Sequence, residues 1–314
     1  MFRGGGGSSL GYKLAGFDVI GCLEIDKRMM QSYLLNNPVK YAFLEAIQTF
    51  KLRDDLPSEL FDLDILDGSP PCSAFTNAGK KSKVWGVKKA FREGQIKQIL
   101  DTLFFDFIDL AKRLQPKIVI AENVKGLLQK PARKYVDRIY RELDAAGYNV
   151  RHYLLNAATM GVPQRRERVF FIAVRKDILF PELDMKFDEI EIPFKKIMNF
   201  DGGHANETLL KLWPTLKPGD HPREKYFSYI KIDPDRAIPT IMGGRVKAPV
   251  LMHTYLKRYI NNPEVVAASS FPIDYNFDGS NCGYICGMSV PPVMAAHVAD
   301  RIYKILQLNK NMLF

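Results

Sequence analysis

Cysteine is scarce in this chain: four among 314 residues, at Cys22, Cys72, Cys282 and Cys286. That is too sparse for a disulfide framework and fits a reducing compartment. Cys282 and Cys286 are spaced as half of a zinc site, but no second pair completes one, so no metal is expected. No apolar run approaches the length of a membrane span, and the first residues lack the charged and apolar segments of a signal peptide. A cytoplasmic protein with no membrane partner is the expectation. Internal repeats and low-complexity tails are absent. Acidic residues are in deficit, 35 against 45 basic ones, which leaves a net charge of +10. A basic balance serves solubility, and it also favours a polyanionic partner, of which nucleic acid is the first candidate.

What is present begins with a hydrophobic content of 46%, enough for one large core and a second, smaller unit. The chain is organised around residues 66–76, Leu-Asp-Gly-Ser-Pro-Pro-Cys-Ser-Ala-Phe-Thr. A short strand pattern over 62–66 ends at Gly68, and Pro70 and Pro71 then fix two successive φ angles before Cys72. A thiol on so stiff a turn can be a small hydrophobe ending a strand. It can also be a nucleophile, since cysteine is partly thiolate at neutral pH and the most nucleophilic of the ordinary side chains.

Upstream, residues 2–11 form a glycine-rich turn with Gly4, Gly5, Gly6 and Gly7 in succession, followed by an apolar strand over 17–25 that carries Glu24. Glycines after a first strand let backbone amides approach a ligand at a helix N-terminus, and an acid ending the second strand can accept from ribose hydroxyls. A helix is predicted over 29–37. The segment 79–92 holds Lys80, Lys81, Lys83, Lys88, Lys89 and Arg92 around Trp85, either a solvated loop or a flap closing on phosphates. Ile96, Ile99, Leu100, Leu103, Phe107, Leu110 and Leu114 recur at helical spacing. Residues 117–121 read as a buried parallel strand delivering Glu122, Asn123 and Val124 at its carboxyl end, where ligand chemistry gathers in open α/β sheets. A helix over 131–146 follows. Gln164-Arg165-Arg166-Glu167-Arg168 then precedes a strand over 169–174, and planar guanidinium groups suit fixed recognition of phosphates or base edges. From 176 onward prolines and short runs mark a composition shift. Order returns at 236–244, and residues 287–292, Gly-Met-Ser-Val-Pro-Pro, open a last helix.

In this order the segments resemble the DNA (cytosine-5) methyltransferases over nearly the whole chain. The resemblance implies an α/β fold: a Rossmann-like, S-adenosylmethionine-dependent methyltransferase sheet domain with a smaller, irregular target-recognition domain. The catalytic domain would cover 1–175, the recognition domain 176–282, and 283–314 would return to the catalytic domain. Cys72 would be the nucleophile adding to cytosine C6, Glu122 its partner at N3, Arg168 the holder of O2 and Arg166 its support. S-adenosylmethionine, leaving as S-adenosylhomocysteine, would be held by Phe2, Gly4 to Gly7, Glu24, Ile25, Ile47, Pro71, Leu103 and Ser289. Double-stranded DNA with a flipped-out base would be the substrate. The resemblance further implies a monomer of bacterial or phage origin, and it leaves open whether a cognate restriction endonuclease works in the same system. Three positions depart from the family pattern: no strand and Asp-Leu pair precede Phe2, Glu45-Ala46-Ile47 stands where an Asp-Ile pair contacts adenine, and Met288 replaces an asparagine. Rival readings are an RNA enzyme of the transfer-RNA type and a catalytically dead DNA-binding relative.

Overall fold

Ile118–Val124 reads Ile-Val-Ile-Ala-Glu-Asn-Val, apolar for four positions and then polar, as a strand covered on both faces should before it delivers side chains to a site. In the computed structural model of the protein, which describes residues 1, 4–71, 88–89, 98–99, 102–222, 229–243 and 250–311, this is the central strand. The strands of the main sheet are β1 (Gly21–Glu24), β2 (Tyr41–Leu44), β3 (Ile65–Gly68), β4 (Ile118–Val124), β5 (Tyr148–Asn156) and β6 (Glu167–Arg175). β3 runs parallel to β4, and β6 lies antiparallel between β4 and the edge strand β5. β1 and β2 form a separate parallel pair. Among the described residues the central sheet is thus in two pieces.

Helices cover both faces. The main ones are α1 (Gly7–Leu14), α2 (Lys27–Asn36), α3 (Leu103–Leu114), α4 (Arg133–Ala145), α5 (Asn262–Ala268), α6 (Cys282–Met288) and α7 (Pro292–Asn311). α3 buries Leu103, Phe104, Phe107, Ile108, Leu110 and Leu114, each worth roughly 1.5–3 kcal/mol for a fully buried large apolar side chain. They join Leu23, Leu66, Val119 and Phe171 in one cluster with α4. On the opposite face Ile118, Ile120, Phe170 and Ile172 pack against Met294, Val298, Ile302 and Ile305 of α7, so the last helix returns to the first half of the chain.

Two sequence expectations change here. The helix predicted from Ile96 starts at Leu103, because Gln98–Ile99 pairs antiparallel with Lys88–Lys89 and so commits the backbone groups that a helix would need. That pairing is the described part of the lysine-rich segment; the rest of 79–92 lies outside the described residues. The stretch Cys282–Asn309 is also longer and more apolar than expected, with a mean hydropathy of 1.2 in its best window, but 67% of that window is buried inside the protein. It is core, broken between α6 and α7 at residues 289–291.

A third core lies within residues 194–286, where Phe194, Ile232, Ile238, Leu251, Phe271 and Cys286 meet and Leu10 of α1 packs against them. Below it Arg258 and Glu264 pair at 2.8 Å, both buried, and Glu264 completes a capping box with Asn261 at the start of α5. Glycine makes one helix contact possible. A Cβ on Gly11 of α1 would lie 2.4 Å from Cβ of Ala295 and 2.6 Å from the Pro292 carbonyl oxygen. We predict that Gly11→Ala lowers stability by about 2–3 kcal/mol, read as a fall in Tm. Gly202→Ala, where nothing lies within 4 Å of the new methyl, should leave Tm within a degree or so of the parent.

Candidate active site

β4 and β6 are antiparallel neighbours, with Val124 opposite Arg168 and Glu122 opposite Phe170. This register brings Glu122 and Arg168 together at the carboxyl end of β4, with Arg168 Nε 3.0 Å from Glu122 Oε1. Glu122 is 8% exposed, and burial pulls the Arg168 guanidinium below its ordinary value while the adjacent carboxylate opposes that shift. A carboxyl fixed by a charge-assisted hydrogen bond in a low-dielectric niche is oriented to meet a polar ring edge.

Asn123, between them in sequence, faces the other way. Its Nδ2 donates to the Pro70 carbonyl at 3.0 Å, and its Oδ1 accepts from Val124 N at 2.9 Å. The strand end that carries Glu122 is therefore tied to the proline turn two residues before Cys72. Gly68 assists, since a Cβ there would meet the Phe107 ring at 2.7 Å. Pro71 is half-buried at the end of the described turn, and Cys72 lies outside the described residues. Sequence reasoning quoted Asn123 as part of a motif without giving it a task; its tether is a tertiary contact with no sequence signal of its own.

The Gln164 to Arg168 run divides its work. Gln164, buried, donates to the Ala268 carbonyl and accepts from Ile241 N. Arg165 Nε donates to the Ala237 carbonyl. Arg166, 3% exposed, donates to the carbonyls of Ile241 and Gly287 at 3.3 and 3.1 Å. Burial lowers its pKa, with the charge of Arg168 adding to that effect. Of the arginines in this run, Arg168 is the one on Glu122, whereas Arg165 and Arg166 brace the segment 237–243 and the end of α6.

The glycine turn is held from three sides. Gly4 N donates to Glu24 Oε2 at 3.3 Å, Gly5 N donates to Ser289 Oγ at 3.0 Å, and Tyr275 Oη donates to the Gly5 carbonyl. Gly4 and Gly6 have φ of +49° and +73°, left-handed values that favour glycine. The reasons for glycine differ along the turn. A Cβ on Gly5 would sit 2.2 Å from Ile285 Cγ2, and one on Gly7 1.9 Å from the Val290 carbonyl oxygen, so these two are small because α6 and its C-terminal turn press on them. Around Gly4 the closest approach is an ordinary 3.6 Å. Phe2 lies outside the described residues.

Glu24 also accepts from Ile25 N and Asp26 N at 2.9 and 3.1 Å, yet burial outweighs these bonds and raises its pKa. Asp26 is engaged elsewhere, capping α2 through Arg28 N and Met29 N. Ile25 is half-buried beside Glu24, whereas Ile47 and Leu103 are core, at 3% and 0% exposure. Glu45 is held by Arg53 at 2.7 Å. Met288 packs on Gly243, whose added Cβ would lie 2.5 Å from Met288 Cγ, so its thioether fills space between α6 and residue 243. Asn37, fully buried against Gly6, was not singled out by sequence. Cys282 and Cys286 place their sulfurs 4.0 Å apart within α6. Cys282 and burial together push the Cys286 thiol well up, away from the thiolate a metal requires. Among the described residues no group of three metal-ligating side chains comes together.

Residues 1–207 match the C-5 cytosine-specific DNA methylases. The chain belongs to that family. It is 37% identical over 178 residues to the type II methyltransferase M.FnuDI of Fusobacterium nucleatum, a match covering 57% of this chain and 46% of that protein. It is 37% identical over 238 residues to M.DdeI of Desulfomicrobium norvegicum, covering 72% and 52%. The chain thus spans about half the length of these curated relatives. In fold it is similar to a prophage-encoded E. coli protein solved as a DNA modification methyltransferase, with a TM-score of 0.74 at 20% identity over 98% of both chains.

The Asn123 tether gives a direct test. Asn123→Ala strands a buried carbonyl at Pro70, and we predict a loss of about 1–3 kcal/mol in denaturant unfolding. Glu167→Ala, on the exposed side of the same β-ladder, should cost no more than about 0.5 kcal/mol.

Proposed function

We propose that this protein methylates C5 of a cytosine flipped out of duplex DNA, with S-adenosylmethionine as donor. The observation that carries the reading is the buried Glu122–Arg168 pair, joined through Asn123 to the turn that leads into Cys72. C5 of cytosine is a poor nucleophile until something adds to C6. In this reading the Cys72 thiolate forms the C6–S bond, and the electron pair displaced from the ring is received at N3, where Glu122 supplies a proton. Arg168 orients Glu122 and donates to the ring's O2. C5 then takes the methyl group, the C5 proton departs to a base, and the C6–S bond breaks to return the thiolate. Extracting the base from the stack costs on the order of a few kcal/mol, which the positive charge of the chain would offset through phosphate contacts.

S-adenosylmethionine, when bound, supplies the methyl group. The residues that fit it are Glu24 and the turn at Gly4. A carboxylate offers about four acceptor sites, and three backbone N–H groups use part of them, so Glu24 Oε2 has capacity left for a ribose hydroxyl. Ile25, Pro71 and Ser289 would border the same site, Ser289 by holding Gly5. Ile47 and Leu103 would act from the core beneath it. Residues 1–175 with 283–314 would form the catalytic unit, and 176–282 would read the DNA sequence. A cytoplasmic, monomeric protein working beside a cognate endonuclease completes the proposal. The rival reading is a catalytically dead DNA-binding relative.

Bisulfite sequencing of DNA from cells expressing the protein separates these readings. The proposal predicts methylated cytosines in one short sequence context and none with Cys72→Ser; equal signals in both would remove Cys72 from the chemistry. Cofactor binding should also depend on pH. Burial raises the Glu24 pKa, so on acidification Glu24 gains a proton at a higher pH than an ordinary carboxyl and loses acceptor strength. Titration calorimetry should show S-adenosylmethionine binding weakening as pH falls through that raised value. Glu24→Gln should bind roughly tenfold more weakly at neutral pH, about 1.4 kcal/mol, and lose this pH dependence.

A further inference from the structure

The chain's surplus of positive charge is confined to two short stretches. Residues 80–97 hold seven basic residues and one acidic, and residues 125–141 hold six and one, whereas the remainder of the chain has 32 basic against 33 acidic. The segment proposed to read the DNA sequence, 176–282, shares that neutrality, with 14 basic and 15 acidic residues. Long-range attraction for a polyanion therefore originates in the catalytic half. Of the two stretches, 125–141 is described throughout. It begins directly after Val124 at the carboxyl end of β4, so it leaves the sheet at the edge where Glu122 meets Arg168.

Packing decides which way these side chains point. Leu127, Ala132, Tyr135, Ile139 and Leu143 are buried in the first core cluster, which turns the opposite face outward. Lys130 and Arg133 stand exposed at the start of α4, and Lys134, Arg138 and Arg141 follow at i, i+4 and i+7 along its exposed face, with Asp137 the one acid of the stretch. Lys125 pairs with Glu167 at 2.8 Å. Arg138 is satisfied locally, its guanidinium 3.7 Å from the Phe105 ring centre and its Nε 3.2 Å from Glu142 Oε1. Among the described residues Lys130, Arg133, Lys134 and Arg141 have no ion pair. For the chain alone this placement is unfavourable. The first turn of α4 has no acidic residue and no side-chain cap, so Arg133 and Lys134 sit at the positive end of the helix dipole, and Lys134 and Arg138, four residues apart, repel. Both effects are relieved when an anion lies against the face.

We propose that the outer face of α4, together with Lys130, is a docking surface for the phosphate backbone of duplex DNA, holding it by charge without reading its sequence. From Lys134 to Arg141 the helix rises about 10 Å. Over that length one strand of a duplex presents about three phosphates, matched in number by the cations at 134, 138 and 141. Lys130 and Arg133 extend the row toward the end of β4. The choice of duplex DNA among polyanions rests on the methyltransfer reading. In return the surface gives that reading a division of labour: the catalytic half supplies phosphate affinity, and the near-neutral 176–282 is left to base contacts, which specify sequence.

The test compares two triple variants of the full chain that lose the same charge. One is Lys130→Gln with Lys134→Gln and Arg141→Gln. The control is Lys186→Gln with Lys211→Gln and Lys217→Gln, three exposed lysines of 176–282. Binding of a fluorescent duplex of random sequence is followed by anisotropy from about 50 to about 200 mM salt. The proposal predicts that the first variant binds roughly tenfold more weakly at the lower salt, and that its slope of log K against log salt is shallower by about 2–3. The control should keep the parent's slope to within about 1. The first variant's Tm should be no lower than the parent's, since the change removes repulsion and no contact. Equal losses in the two variants, or an unchanged slope in the first, overturn the proposal, as does a slope that changes for a single-stranded RNA probe and not for the duplex. Bisulfite sequencing of DNA from cells expressing the parent keeps the two ideas apart. Methylation with an unchanged slope removes this surface alone, and a changed slope without methylation removes methyl transfer alone.

Discussion

A guanidinium and a carboxyl held 3.0 Å apart at the ends of two antiparallel strands, Arg168 and Glu122, set the terms for the rest of the molecule. Removing two charges from water costs several kcal/mol per ion, and their attraction repays this only with good geometry, so such a pair is not a device for stability. Its persistence at a strand terminus makes sense as orientation of Glu122. The neighbouring contacts support that purpose. Asn123 fixes the strand to the proline turn, and Arg166 and Gln164, both buried, tie the following strand to residues 241, 268 and 287. A displacement of any of these segments would be felt at the pair.

The second constraint is the joining of the chain's two ends. Gly5, Gly7 and Gly11 admit the Ile285 side chain, the Val290 carbonyl and the Ala295 methyl at distances no other residue would allow. The glycine turn therefore takes its shape from α6 and α7 as much as from its own φ angles. Glu24 and Ser289 complete the arrangement by binding the amides of Gly4 and Gly5. A sheet divided between β1 and β3 leaves this turn with Met1 as its sole ladder contact to β3 among the described residues.

Much of this was legible in the sequence. Glu122 and Arg168 each border an apolar strand run, and the family resemblance implied that they serve the same base. Glu24 was legible as an acid ending a strand. Other features were not. β5, Tyr148–Asn156, escaped notice because it is an edge strand with Arg151 and His152 exposed, stabilised by its pairing with β6 rather than by its own pattern. β2 was missed for a related reason, since its four residues alternate half-buried with exposed. Periodicity misled at Ile96 and Ile99, where apolar spacing that fits a helix also fits the short antiparallel pairing. The bracing tasks of Gln164 and Arg166, and the packing of Met288 on Gly243, depend on contacts more than 40 residues away in sequence, and nothing local encodes them.

The central claim is a transient bond between the Cys72 sulfur and cytosine C6. Replacing the C5 hydrogen of the target with fluorine tests it most directly, since fluorine cannot leave as the proton does and the C6–S bond then cannot break. A randomised duplex pool containing 5-fluorocytosine, incubated with the protein and S-adenosylmethionine, should yield a denaturation-resistant protein–DNA adduct. Peptide mapping should place that adduct at Cys72, and Cys72→Ser should form none. Absence of an adduct from protein that binds S-adenosylmethionine and methylates ordinary DNA, or an adduct mapped to another residue, would contradict the account.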